Sequence, residues 1–262
     1  MKPTFLLRTC LAGLFILLVA CQRESPDIRI MTYNIRHGLG MDRVLDLERT
    51  AAVINHYHPD LLILNEVDQG TARSGGIFDA DSLAKLTGLN ATFGRSIDYD
   101  GGEYGNAILS AQLPDTAWII DLAVDSLAEG RTALVVQLEI AQENVLVVGT
   151  HLGLQPAERT AQINRLLQAI PDSVRVLLAG DFNLEPSSPN YTRLTQRFVD
   201  SWSNQPEAPP LTFPADKPER RIDYIFHSEG FECRSTHDPT EILVSTASDH
   251  RPVIADLVIT RP

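Results

Sequence analysis

The chain has 262 residues, with 22 basic and 34 acidic side chains, a formal net charge of −12 and only 6% aromatic residues. An acidic surface repels nucleic-acid phosphates, and sparse, scattered aromatics offer no stacking track, so the bulk numbers weigh against a general nucleic-acid binder. Of the three cysteines, Cys10 and Cys21 lie at or before residue 21, ahead of the body of the chain, which leaves Cys233 alone there without an intrachain disulfide partner.

The first residues read as a targeting segment. Lys2 and Arg8 form a basic start, residues 11–20 (LAGLFILLVA) are uninterrupted apolar sequence, and Leu18-Val19-Ala20 precede Cys21. This is signal-peptide architecture. It resembles the bacterial lipoprotein lipobox, in which the cysteine is lipidated and becomes the new N-terminus. An uncleaved anchor and plain secretion with Cys21 as a free thiol are the alternatives. The apolar run is about half the roughly 20 residues a spanning helix needs. The reading divides the chain into a signal peptide (1–20), a lipidated Cys21 with a polar tether (21–27) and one domain (28–262). By the same resemblance, the non-acidic Gln22 implies lipid anchoring in the bacterial cell envelope, at the outer membrane. Several acyl chains on one N-terminus hold a soluble domain to a bilayer stably. Loss of Lys2 and Arg8 leaves 20 basic against 34 acidic residues, a net −14.

Apolar, β-branched runs then alternate with amphipathic segments. Residues 28–35 and 61–64 read as strands, and Leu45, Leu47, Ala51, Ala52 and Ile54 between them recur at near-helical spacing. Residues 81–87 form a short helix stopped by Gly88. Residues 104–110, 117–122, 132–140 and 145–150 are strand-like, with Glu143-Asn144 suited to a hairpin turn. Residues 156–170 make the clearest helix. Pro156 suits its first turn, Ile163, Leu166, Leu167 and Ile170 line one face, and Pro171 ends it. Residues 174–179, 222–226, 241–244 and 253–259 close the chain as strands, and the proline-rich residues 206–218 read as a surface loop. The order β-α-β-α-β-β, followed by a similar second half, points to an α/β fold of two packed mixed sheets with helices outside. Gly38-Leu39-Gly40 lacks the following helix that a dinucleotide site needs.

Polar residues gather at the carboxyl ends of the apolar runs: Asn34, Glu66, His151, Asp181, Asn183, Asp223, Asp249 and His250. Each has a bland explanation. Asparagine satisfies turn backbone, Gly180-Asp181-Phe182-Asn183 makes an ordinary turn, and a histidine after a buried strand is commonly structural. Asp223 differs, because it is flanked by apolar residues and is costly there without a partner. His250 is the natural partner, giving a dyad in which the carboxylate orients the ring and favours its protonated form. Five apolar runs ending in acid, amide or imidazole suggest a site that holds a hard divalent cation and moves a proton beside it.

The motifs TYNIRHG, NEVD, YGNAILS, RTAL, THLGL, GDFN, RIDYIF and SDHRP stand in that order over about residues 28–260. In them the chain resembles the endonuclease/exonuclease/phosphatase family, and EVDQGTARSGG looks like its compact bacterial branch of metal-dependent hydrolases. The resemblance implies a four-layer α/β/β/α sandwich of two mixed sheets, the DNase I-like fold. It implies Mg²⁺ (or Mn²⁺) held by Glu66, with Asn34 and Asp249 beside it. It implies that His250, oriented by Asp223, contacts the scissile phosphate or acts as general acid/base, and that Asp181 positions or deprotonates water. Asn183 would bind a phosphoryl oxygen, and His151 would sit near the phosphate. Arg131, Asn106 and Arg73 are second candidates for substrate contact, and Arg36 and His37 for shaping the pocket. The expected function is an envelope-anchored phosphoesterase acting by in-line attack of water. A small molecule or lipid headgroup is favoured over DNA as substrate, and monoester against diester stays open. The alternatives are a secreted nuclease or a non-catalytic binding lipoprotein on the same fold. Residues 70–79, 95–104 and 203–219 are the expected specificity loops, and no heptad pattern points away from a monomer.

Overall fold

Two six-stranded mixed sheets lie face to face, with helices on their outer surfaces. The computed structural model describes residues 28–124 and 128–260, so the expected signal peptide, Cys21 and tether lie outside the described residues. The first sheet holds β1 (Ile28–Asn34), β2 (Leu61–Gln69), β3 (Asn90–Tyr99), β4 (Gly102–Ser110), β11 (Phe231–His237) and β12 (Val253–Ile259), in the order β11-β12-β1-β2-β4-β3. The second holds β5 (Thr116–Asp121), β6 (Thr132–Ile140), β7 (Glu143–His151), β8 (Arg175–Asp181), β9 (Val199–Asp200) and β10 (Asp223–His227), in the order β5-β6-β7-β8-β10-β9.

The continuous apolar runs follow from burial on both faces. In β2, Leu61 and Ile63 point between the sheets, where they meet Ile30, Leu134, Val147 and Ile225. Leu62 and Leu64 point outward to α1 (Leu47–Tyr57) and α2 (Asp79–Thr87). The second sheet is covered likewise by α3 (Pro156–Ala169) and α4 (Pro189–Thr195). Asp46 caps α1 by accepting from the Arg49 backbone N–H, and Gly88 ends α2 at φ +76°. Pro156 opens α3, with Gln155 and Glu158 forming a capping box.

Each sheet has one parallel pair at its centre, β1 with β2 and β7 with β8, joined by α1 and α3. Their carboxyl ends therefore emerge at the same edge of the sandwich, and this positions the site. The expected strand at 241–244 is instead the start of α5 (Ile242–Ala247), whose buried residues, Val244 and Ala247, are spaced three apart. A short apolar run does not settle its own period. The β6–β7 turn falls on Ala141 and Gln142, both at positive φ, while Glu143 and Asn144 already belong to β7. Strands β3 and β11 were not expected. Both are edge strands, where burial is incomplete and the apolar pattern thins.

Candidate active site

His151, Asp181 and Asp223 stand abreast. Asp181 is the register partner of His151 on one side and of Asp223 on the other. Gly180 lets this row form: at φ +143°, an added Cβ would stand 1.9 Å from the Thr150 carbonyl oxygen. On the facing sheet, Asn34 pairs with Asn65, and a bulge follows in which Asn65 and Glu66 oppose the single residue Asn106. Glu66 sits at φ +58°. Bulges re-aim side chains, and this one turns Glu66 toward Asn34 in the space between the sheets.

The Asn34 side-chain amide donates to Glu66 Oε1 (3.0 Å) and to Asp181 Oδ2 (3.2 Å), tying the two sheets together. Its own oxygen accepts from the Arg36 backbone N–H. Ser248 donates to the Asn34 carbonyl and accepts from the His250 backbone N–H, fixing the Asp249-His250 turn. His250 Nδ1 lies 2.9 Å from Asp223 Oδ2, and His250 Nε2 lies 3.7 Å from Asp181 Oδ2. Burial opposes the charged ring, but Asp223 and then Asp181 outweigh it, and the His250 imidazolium is pushed up to about 10. Burial, and then Asp223, raises the Asp181 carboxyl well above the usual carboxylate range.

His151 is the opposite case. Arg131 Nη1 stands 3.0 Å from His151 Nδ1. Arginine only donates, so Nδ1 accepts and the proton sits on Nε2, which lies 3.4 Å from Asp181 Oδ2. Burial, then Arg131 and His250, hold the His151 ring well below its ordinary value. The two histidines beside Asp181 are thus one imidazolium and one neutral donor.

Glu66, His151, Asp181, Asn183, Asp249 and His250 open on one cavity of about 400 Å³. Asn34 and Asp223 stand behind this wall and hold its members. Asn183, at φ +51°, donates its backbone N–H to Asp181 Oδ1 and its side-chain amide to the Leu152 carbonyl. Arg131 and Arg73 also line the cavity, but each meets a carboxylate: Glu129 at 2.9 Å, and Asp68 through two nitrogens at 2.8 and 2.7 Å. Arg73 lies 4.4 Å over the Tyr99 ring. Arg36 Nε stands 3.6 Å from Asp249 Oδ2.

Asn106, expected at the substrate, does not line the cavity. It is buried, accepting from the Asn65 amide and donating to the Thr132 carbonyl, while Asn65 Oδ1 accepts from the Asp181 backbone N–H. Asn65 is the residue that sequence reasoning missed here, and the signal was its place in the strand-ending LLILNE. Tyr104 and Phe213, which also line the cavity, fall within the expected specificity loops 95–104 and 203–219 without having been singled out, and Arg220 lies one residue beyond the second.

The donor set suits a hard cation. Glu66 is half-buried, forms no ion pair among the described residues and receives a single amide hydrogen bond, so desolvation raises its carboxyl. Asp249 faces the same cavity, so the two carboxylates offer oxygen ligands there, while the Asn34 amide turns its N–H to Glu66 and its oxygen to the Arg36 N–H, and that oxygen would join them only by rotating. Asp181, Asp223 and His250 also offer ligand atoms within 4.8 Å of one another. In that second set, His250 Nδ1 is already engaged with Asp223.

Residues 31–250 match the Endonuclease/Exonuclease/phosphatase family. The chain is 32% identical over 257 residues to the uncharacterized protein YbhP of Escherichia coli (strain K12), covering 90% of this chain and 98% of that one. A functionally unknown conserved protein from Enterococcus faecalis V583 superposes with a TM-score of 0.76 at 23% identity, over 88% of this chain and 100% of that one. The human Nocturnin catalytic domain, solved with bound sulfate, superposes with a TM-score of 0.73 at 24% identity, over 90% and 96%. At these identities the two superpositions speak for the fold alone.

Proposed function

The chain belongs to the endonuclease/exonuclease/phosphatase family, and from that premise we propose that it hydrolyses a small phosphate ester with Mg²⁺ or Mn²⁺. The observation that carries the reading is the arrangement around Asp181 Oδ2, with His151 Nε2 at 3.4 Å and His250 Nε2 at 3.7 Å, and His250 Nδ1 held 2.9 Å from Asp223. A raised carboxyl flanked by two donors fits a base that takes a proton from water beside a bound phosphoryl group. Glu66, Asn34 and Asp249 would hold the cation, which when bound supplies charge neutralisation at phosphate oxygen.

Geometry divides the remaining labour. In-line attack places the attacking and leaving oxygens on opposite sides of phosphorus. Asp181 and His250 are only 3.7 Å apart, so both serve the attacking side. His250 is therefore read as a donor to a non-bridging oxygen rather than as the acid for the leaving group. The Asn183 amide keeps one N–H beyond its bond to Leu152, and this is free to meet a second phosphoryl oxygen. Preorganised donors of this kind stabilise charge where it develops.

The cavity's size suits a metabolite or headgroup better than a duplex. Lipidation at Cys21 would place the enzyme on the envelope, where such esters arrive from outside or from lipid. The test uses the mature chain stripped with EDTA and then supplied with Mg²⁺ or Mn²⁺. Mono- and diester nitrophenyl phosphates, phosphoinositides and plasmid DNA are assayed in parallel, with Glu66→Ala as control. Metal-dependent turnover absent from the variant is the expected result. Turnover that survives EDTA, or the Glu66→Ala change, refutes the assignment. Silence from a folded, metal-binding protein on every ester would favour the non-catalytic alternative.

A further inference from the structure

A second compartment of about 450 Å³ opens beside the catalytic cavity and shares Leu154, Asn183, Arg220 and Ile222 with it. Asn183 is thus a common wall, one side facing Asp181 and the other facing Arg159 and Ser187. Four arginines line the two spaces. Arg73 and Arg131, on the catalytic side, are neutralised by Asp68 and Glu129. Arg159 and Arg220 form no ion pair among the described residues, although the chain carries 34 acids against 22 bases. Arg159 donates through Nη1 to the carbonyls of Gly153 and Leu154, and its Nε is buried without a partner. Arg220 lies 4.8 Å over the Phe213 ring, and that ring stands 4.9 Å from the His250 ring. One carboxylate, Glu185, also lines the compartment, leaving it a positive balance of two arginines to one acid.

Arg159 is half-buried and feels Glu158 and Asp181 without forming an ion pair to either, and Arg220 is exposed, so both guanidinium groups keep donors available to an anion in the compartment. The scissile phosphate already has its own partners in His250, His151 and Asn183. We propose that the Arg159–Arg220 compartment is a subsite for a second anionic group of the substrate. The substrate class is then a small molecule carrying two oxyanions, a bisphosphate or a phosphorylated carboxylic acid, with the scissile phosphate in the catalytic cavity. The inference rests on the phosphoesterase reading of the neighbouring cavity. Together the two spaces match the few hundred Å³ typical of small-ligand sites.

The experiment compares a hexose monophosphate, a hexose bisphosphate and a phosphosugar acid on the mature, Mg²⁺-loaded chain. The wild type should favour at least one of the two doubly anionic esters over the monophosphate by tenfold or more in kcat/KM, since one charge-assisted hydrogen bond is worth roughly tenfold. Which of the two it favours distinguishes phosphate from carboxylate. Arg220→Gln and Arg159→Gln should each reduce that preference about tenfold through KM, and Arg220→Lys should keep part of it. A wild-type preference near one overturns the subsite. So does an equal loss on all three esters, which would mean a structural role for the arginines. If none of the esters is hydrolysed, the phosphoesterase reading fails for this class, and calorimetric binding of the same three compounds decides the subsite. Tighter binding of a doubly anionic compound that Arg220→Gln abolishes upholds it, and equal binding overturns it.

Discussion

Replacing Asp223 by asparagine keeps a hydrogen-bond acceptor against His250 Nδ1 but removes the charge. At 2.9 Å, a unit pair at an effective dielectric of about 20 attracts by about 6 kcal/mol, which corresponds to about four pH units on the imidazolium. The ring, pushed up to about 10 in the native dyad, should therefore titrate near 6 in the variant. The sign for stability follows. Because the folded value lies above the ordinary 6.5, the dyad's contribution is fully present below about pH 6.5 and is lost as pH rises through about 10. Asp223→Asn should flatten that alkaline loss. The assay is long-range ¹H–¹⁵N correlation on the metal-free protein across pH, with His250→Gln to assign the ring among the seven histidines. Chemical denaturation at matched pH values gives the stability arm. With Mg²⁺ restored, kcat should fall by about a hundredfold or more at neutral pH, because the ring has lost its charge and its charged hydrogen-bond partner. A wild-type ring that titrates near 6.5, or a midpoint unmoved by Asp223→Asn, would refute the electrostatic reasoning whatever the activity.

Glu66→Gln should raise the melting temperature of the metal-free protein. The native carboxyl lies above its ordinary value, so its ionisation opposes folding at neutral pH. The same change should erase the stabilisation that Mg²⁺ gives the wild type, which scanning fluorimetry with and without EDTA reads directly. Arg131→Gln removes an obligate donor from His151 Nδ1, so the Nε2–H tautomer should lose its dominance in the ¹⁵N spectrum of the metal-free protein. An unchanged spectrum would show that other groups set the tautomer. Cys21→Ser should move the protein from the membrane to the soluble fraction, and continued membrane association with an uncleaved leader would favour a signal anchor.

The carboxyl-end cluster was legible because chemistry leaves a mark when it interrupts an apolar strand. Asp223 is the plain case: an acid between Ile222 and Tyr224 needs a partner, and the structure supplies His250 at 2.9 Å. The central strands were equally legible, since burial on both faces makes Leu61–Leu64 and Val176–Ala179 continuous apolar runs. Edge strands β3 and β11 were not, because only Gly94 in the one and Phe231 in the other are buried. Residues 241–244 misled for a related reason: four residues are too few to tell a period of two from one of 3.6.

Two features of the site lay beyond any reading of periodicity. Strand alternation puts Leu62 and Leu64 outward and Ile63 and Asn65 inward, so parity assigns Glu66 to the outer, helix-covered face. The two-against-one bulge opposite Asn106 breaks that parity and brings Glu66 to Asn34. No local residue announces the bulge, because neither Asn65 nor Glu66 is a glycine. The second feature is the pairing of the arginines. Arg73, Arg131, Arg159 and Arg220 look alike in the sequence, and only the fold decides which of them meets a carboxylate. Asp68 reaches Arg73 through the loop after β2, and Glu129 stands two residues before Arg131. No acid pairs with Arg159 or Arg220 among the described residues, and both border the same wall at Asn183. The acids, amides and imidazoles of the cluster stand out by type, whereas Arg159 and Arg220 stand out only by what they lack, and that is visible only once every neighbour has been placed.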